Sequence, residues 1–467
     1  MEKQQCSASG LSRGELKTLG LSSLGGILEF YDFIIVFFFA KIISQHFFPA
    51  GIGEFWAMLN TYGTFAAGYL ARPLGGVVMA HFGDKFGRKN MFMLSIALMV
   101  IPTFSLAVIP TYETIGYAAP LFLILVRICQ GIAIGGELPG AWVFIHEHAP
   151  AGHKNAFVGF LTGCVTGGIL LGSFVALLMN FIYTPAELSD WAWRVPFVIG
   201  GVFGLISIYL RRFLQETPVF KKMRESKALA KFPLEEVVKT SRFGMFITWV
   251  LTGCIVVFIL LMPGFVGGVL GFSPFETTYF QMGGLVCIVS SCWLTGRLAD
   301  KHNPSTLCIL FSAGFAVSSV AFFSLLYTAA PVVSEVVLAY FATCFFAGIM
   351  NFCPIFMCDV FPARIRFSGI SFAYNIAYAL SGAFTPQLSF ALHAYAKTHP
   401  DTLGAMGLSA YIVFLALVSI GTALAMRRVY KNGGEAEWSS VRLPKPRRLE
   451  PISNVPEGEL MFQRFAF

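Results

Sequence analysis

The chain has 467 residues, 56% of them hydrophobic and only 12% charged, with a mean hydropathy of +0.70. A soluble domain carries about 25% charged residues, so this composition excludes a soluble core and requires most of the chain to face lipid. The net charge of +8 does not mark a nucleic-acid binder, because the basic residues lie in loops between apolar segments and not on one soluble face.

The N-terminal segment, 1–17, is polar and is followed by a long apolar stretch, so no cleavable signal peptide is expected. Spans need about 20 mainly apolar residues. Twelve are predicted in chain order: 18–40, 56–80, 91–110, 119–145, 155–180, 192–211, 243–265, 276–298, 306–328, 332–357, 368–392 and 405–427. The longest polar interruption, 212–242, divides them into an N-terminal bundle over 18–211 and a C-terminal bundle over 243–427. The tail, 428–467, has no heptad pattern and is expected to rest on lipid through Lys445, Arg447 and Arg448. The fold class expected is therefore all-α: twelve transmembrane helices in two six-helix bundles around a central cavity.

Lys and Arg set the orientation. Of 33 basic residues, Lys41 and Lys397 fall outside and Arg72, Arg127 and Arg194 lie within spans or at their ends; the other 28 are cytoplasmic if both termini are. The halves also echo each other. "GDKFGRK" (Gly83–Lys89) follows the second span and "GRLADKH" (Gly296–His302) the eighth. "EHAPAGHK" (Glu147–Lys154) follows the fourth and "DVFPARIR" (Asp359–Arg366) the tenth. Parallel six-helix repeats with a site between them read this way.

Six-plus-six topology with "GDKFGRK" and "GRLADK" resembles the major facilitator superfamily. Within it, "LEFYDF", "RPLGG", "RICQGIAIGGE", "WRVPF", "QETPVF" and "RFSGISFAYNIAYALSGAFTP" resemble the metabolite:proton symporter family over most of 18–427. The resemblance implies proton-coupled import of a small organic acid or zwitterion, such as oxoglutarate, citrate, shikimate, proline or betaine, by alternating access. It implies no enzymatic activity and no cofactor, with a proton gradient as energy source. A monomer in a bacterial inner membrane is expected. An exporter or exchanger, and a transporter-like sensor or scaffold, are the alternatives. Two departures stand out: Ala80 where the loop motif usually has Gly, and Lys85 where it usually has Arg.

Glu29 and Asp32 sit inside the first span, where a carboxylate costs a few kcal/mol. At 1.5 Å per residue Asp32 lies roughly 21 Å from the cytoplasmic side, and Arg127, entering from outside, roughly 18 Å from it. The two can therefore meet and neutralise each other. A substrate carboxylate engaging Arg127 would take this counter-ion from Asp32 and favour its protonation; the pair could equally be a static tie between helices. Sugar porters, similar at these two positions, imply the coupling role. Glu29 is either a second proton site or a packing hydrogen bond. Glu137 either binds a cationic group or holds its helix. Arg72 is expected near the cytoplasmic end of the second span, snorkelling in a structural role. Further polar candidates for the substrate site are Tyr62, Asn351, Tyr374, Asn375 and Tyr378.

A second constellation lies at the cytoplasmic ends. Arg88 and Glu147 are a candidate latch that parts as the cavity opens inward, with Asp84 beside it. Arg297 and Asp359 are the equivalent pair in the second half, Asp300 falls in the matching loop motif, and Glu216 can join either cluster. His146, His148 and His153 are read as a solvated loop, with no metal site implied. The ten cysteines have no zinc or disulfide spacing and read as apolar fillers. No phosphate-cradling glycine motif or nucleophile elbow appears.

Overall fold

The computed structural model describes residues 11–431, apart from 228, 231, 253–261, 263, 264, 268, 329, 330 and 399–402. The part of the tail that carries Lys445, Arg447 and Arg448 lies outside the described residues. Long helices are numbered here in chain order. The first bundle is α1 (Arg13–Phe38), α2 (Glu54–Phe86), α3 (Arg88–Val108), α4 (Ala118–His148), α5 (Lys154–Ile182) and α6 (Val195–Arg211). The second is α7 (Arg242–Leu251), α8 (Pro274–Lys301), α9 (Pro304–Leu326), α10 (Val333–Val360), α11 (Arg366–Thr398) and α12 (Leu403–Lys431). Among the described residues, nine helices are long and apolar enough to cross a membrane on hydropathy alone.

Local chemistry fixes the helix ends. Ser12 and Ser273 each form a capping box, with Glu15 and Glu276, at the starts of α1 and α8. Gly87 separates α2 from α3 with φ +120°, a conformation open to glycine. The predicted second span is longer than expected, continuing to Phe86, so the loop motif is partly helical. The predicted tenth span is interrupted by a 3₁₀ stretch, Ala347–Asn351. The polar interruption contains two short helices, Pro218–Glu225 and Pro233–Thr240.

The bundles meet along two seams, α2 against α11 and α5 against α8. The α5/α8 seam closes to backbone distance at Gly159 and Gly296: a Cβ on Gly159 would lie 2.6 Å from the Cys292 carbonyl oxygen and 2.8 Å from the Gly296 Cα. Small residues at such crossings let membrane helices pack by dispersion alone. An apolar cleft of about 510 Å³ lies between α1, α5 and α8, lined by residues such as Ile27, Leu171, Phe174 and Met282. Its walls carry no group that could orient a polar solute. At the end where the loop motifs lie, termed the loop-motif face, side chains and backbone of the two bundles are in direct contact.

Candidate functional site

Away from the loop-motif face, six charged side chains among the described residues lie inside the first bundle, each 3% exposed or less: Glu29 and Asp32 on α1, Arg72 on α2, Arg127 and Glu137 on α4, and Arg211 on α6. Three carboxylates and three guanidiniums make the set formally neutral, as the high cost of a buried unpaired charge requires. Glu137 is 2.6 Å from Arg211 and accepts from the Ser95 hydroxyl at 2.6 Å. Arg211 also donates to the Phe92 carbonyl at 3.1 Å and lies over the Phe92 ring. Glu137 thus ties α4 to α3 and α6 in this structure.

Asp32 and Arg127 reach the same region but do not touch. Thr103 Oγ1 donates to Asp32 Oδ2 at 3.1 Å, Gln130 Nε2 donates to Thr103 Oγ1 at 3.2 Å, and Arg127 Nη1 donates to Gln130 Oε1 at 2.7 Å. Every donor in the relay points toward the carboxylate. Thr103 has a second acceptor in reach, the Met99 carbonyl at 3.0 Å. Glu29 is different again: neither carboxylate oxygen has a hydrogen-bond partner among the described residues, and its charged neighbours are Glu137, Arg72, Arg211 and Asp32.

Arg72 is not at a helix end. It sits mid-way along the 33-residue α2, 2% exposed, and faces the second bundle. Its Nε donates to Asn375 Oδ1 at 3.4 Å, and its guanidinium lies 4.4 Å from the centre of the Tyr378 ring. The snorkelling expectation fails because helix α2 runs on for more than three turns beyond Arg72. Pro139 explains a second feature of this seam. Lacking an N–H, it leaves the carbonyl of Gly135, four residues back, without its helical partner. Asn375 Nδ2 donates to that carbonyl at 2.7 Å. Helix α4 continues through Pro139, and the second bundle uses the group the proline frees.

Tyr374 meets Trp142 edge-on at 5.0 Å, and Tyr378 stacks on Tyr69 at 5.9 Å. Tyr374, Asn375 and Tyr378 therefore gather at the α2/α11 seam with Arg72. Asn351 is elsewhere: it donates to the Cys292 carbonyl at 3.3 Å and to Thr295 Oγ1 at 3.2 Å, at the α5/α8 seam. The side chain of Tyr62 lies outside the described residues.

At the loop-motif face Arg88 contacts Asp84 at 3.3 Å and Glu147 at 3.1 Å, all buried. The Arg88–Glu147 contact expected at this face is thus present, and both residues belong to one bundle. The contacts that cross are others. Glu147 pairs with Arg366 at 3.3 Å, Arg88 donates to the Ala363 carbonyl at 2.7 Å, and the Ser368 amide donates to Asp84 Oδ2 at 2.9 Å. Thr217 adds a hydroxyl to Glu147 at 2.7 Å. Glu216 accepts from the Lys89 amide at 3.2 Å and so caps α3. In the second half the expected Arg297–Asp359 pair is not formed. Arg297 is exposed, and Asp359 accepts from the Tyr430 hydroxyl at 2.6 Å and lies 3.6 Å from His146 Nε2. Asp300 accepts from the amides of Asn155 and Ala156, both at 2.9 Å, at the start of α5. Each loop-motif aspartate thus caps a helix of the opposite bundle, where the dipole favours a carboxylate. His146 and His148 belong to the last turn of α4, not to a solvated loop, and His146 is buried.

Sequence reasoning missed Thr103, Gln130, Arg211, Thr217 and Arg366. Arg211 and Arg366 carried a signal, a basic residue at a span's edge. The other three are common polar residues on apolar helices or in a loop.

A membrane-embedded pair of six-helix bundles, with charges buried inside the first and ion pairs closing one face, defines a secondary transporter. The chain belongs to the Major Facilitator Superfamily, whose model matches residues 22–386. It is a transporter and not an enzyme. A citrate-proton symporter of Klebsiella pneumoniae is 30% identical over 376 residues, covering 79% of this chain and 84% of the relative. The inner membrane metabolite transport protein YhjE of Escherichia coli is 32% identical over 410 residues, covering 84% and 90%. Among solved structures, the proton:xylose symporter XylE bound to 6-bromo-6-deoxy-D-glucose shares the fold with a TM-score of 0.73 at 19% identity, over 89% of this chain and 95% of that one.

Proposed function

We propose that the protein imports a small organic acid or zwitterion together with protons, by alternating access, as a monomer in a bacterial inner membrane. The loop-motif face is then cytoplasmic, both termini are inside, and the protein is closed toward the cytoplasm in this structure. The proton gradient supplies the energy and no cofactor takes part. The citrate-proton symporter among the relatives supports the class of reaction.

The observation that carries the reading is the relay from Arg127 through Gln130 and Thr103 to Asp32. It stabilises the carboxylate only while each donor keeps its direction. When a substrate carboxylate engages Arg127, a stronger charge-assisted bond replaces the one to Gln130. The relay then loses its source of polarity, and Asp32 is better accommodated with a proton. Thr103 can turn its single proton to the Met99 carbonyl and accept from protonated Asp32. Proton and anion thus enter together, which keeps the interior neutral in both states.

The test is Asp32→Asn in proteoliposomes. Asn is a fixed neutral mimic of the protonated state. Accumulation driven by an imposed pH gradient should be abolished, while exchange between equal pools of substrate persists. Full concentrative uptake by the variant would remove Asp32 from the coupling step.

A further inference from the structure

Four of the six buried charges are accounted for by the ion pair and the relay. Glu29 and Arg72, which are charged neighbours of each other, are not, and of these two Arg72 stands at the seam. Its Nη2 is buried and has no hydrogen-bond partner among the described residues. Native interiors leave few polar groups in that condition, and a guanidinium is among the costliest. Arg72 also contacts the second bundle through a side-chain hydrogen bond, the 3.4 Å bond to Asn375. That bond is long, whereas the other end of the Asn375 amide is held firmly, at 2.7 Å by the Gly135 carbonyl and at 2.8 Å by the Ser371 carbonyl. Tyr378 and Tyr69 lie 4.4 Å and 5.9 Å from the guanidinium and fix its plane. Arg72 is four residues, roughly 6 Å, nearer the loop-motif face than Gly68. Gly68 is where α2 packs on the Arg127 backbone, a Cβ there lying 3.0 Å from the Arg127 carbonyl oxygen.

We propose that Arg72 is a substrate-binding residue: a carboxylate of the transported solute docks on its free Nη2 edge and replaces the Asn375 bond that ties the bundles at mid-membrane. This rests on the transport reading above and adds to it a second grip, placed on the seam. A carboxylate is a stronger acceptor for a guanidinium than an amide oxygen is, and it can take both arms of the fork. Docking therefore releases Asn375 Oδ1 and loosens α2 from α11, the seam that must move for the cavity to change sides. Lysine cannot substitute, because a point charge neither lays a planar face against the Tyr378 ring nor presents two parallel donors.

The full chain in proteoliposomes, with an acidic exterior, is offered labelled citrate, oxoglutarate, shikimate and glycine betaine separately. For each compound the parent accumulates, Arg72→Lys should raise KM by about tenfold or more with a smaller change in maximal rate. Asn375→Asp keeps Arg72 and places a built-in carboxylate against it; it should also raise KM, as a tethered competitor. Gel filtration shows whether each variant is folded, and either variant alone decides the question. Parent vesicles that accumulate none of the four compounds overturn the transport reading, and Arg72 with it. Parent vesicles that accumulate at least one, with KM unchanged in the folded variants, overturn the role of Arg72 alone. So does a loss of maximal rate without a change in KM, which marks a purely structural tie.

Discussion

Replacing Glu147 with Gln should release the loop-motif face. Glu147 accepts from Arg88, Arg366 and Thr217, but only Arg366 lies on the opposite bundle, at 3.3 Å. A hydrogen bond to a charged group contributes about 1.5–3 kcal/mol and a neutral one about 0.5–1.5. Glu147→Gln keeps the shape and an acceptor, so the cross-bundle loss is about 1–1.5 kcal/mol. That shifts the closed–open balance roughly five- to tenfold toward open. The Ser368 amide reports the balance directly, because its partner, Asp84 Oδ2, lies across the seam at 2.9 Å. Hydrogen–deuterium exchange of the reconstituted protein should show the first turn of α11 exchanging faster by that factor. The Tyr183 amide, bonded to the Met179 carbonyl at 3.0 Å at the far end of α5, should not change. Exchange at α11 within twofold of the parent would refute the reasoning. An equal increase at Tyr183 would mean general destabilisation instead.

Arg127→Lys retains a charge but loses the planar fork that holds Gln130, so KM in vesicle uptake should rise about tenfold; an unchanged KM confines Arg127 to a structural role. Gly131 packs against α2 so closely that a Cβ would overlap the Gly68 carbonyl oxygen. Gly131→Ala should cost about 1–3 kcal/mol and lower the midpoint of thermal unfolding in detergent, and an unaltered midpoint would mean the helices can part there freely.

The helical plan was legible because a lipid-facing chain declares its spans by hydropathy, and the loop motifs announced their twofold repetition. Charged site residues were legible for the same reason: Asp32, Arg127 and Glu137 stand out against apolar neighbours. Their partners were not. Arg211 binds Glu137 and Arg366 binds Glu147 across 74 and 219 positions of chain, and no local pattern encodes such a choice. Thr103 and Gln130 are ordinary polar residues whose roles come from standing between two charges. Arg72 was misplaced because the second helix outruns its apolar stretch: "HFGDKF" is too polar to read as span, yet it continues the helix to Phe86. At Arg88 and Glu147 the motifs placed the two side chains at the ends of neighbouring helices of one half, and they meet there at 3.1 Å, while the cross-bundle partner Arg366 left no such mark.

The exchange of aspartate caps between bundles has an evolutionary corollary. Asp84 and Asp300 grip main-chain amides, those of Ser368, Asn155 and Ala156, and a main-chain amide is supplied by every residue except proline. The receiving half of each clasp is thus nearly independent of sequence, while the giving half depends on one carboxylate. The Asn155 side chain adds a bond of its own to the Ala299 carbonyl at 3.0 Å, but the amide contacts themselves persist through substitution at 155, 156 and 368, provided proline is avoided. The two bundles can then diverge to suit different solutes without having to co-evolve a matched pair of side chains at either clasp.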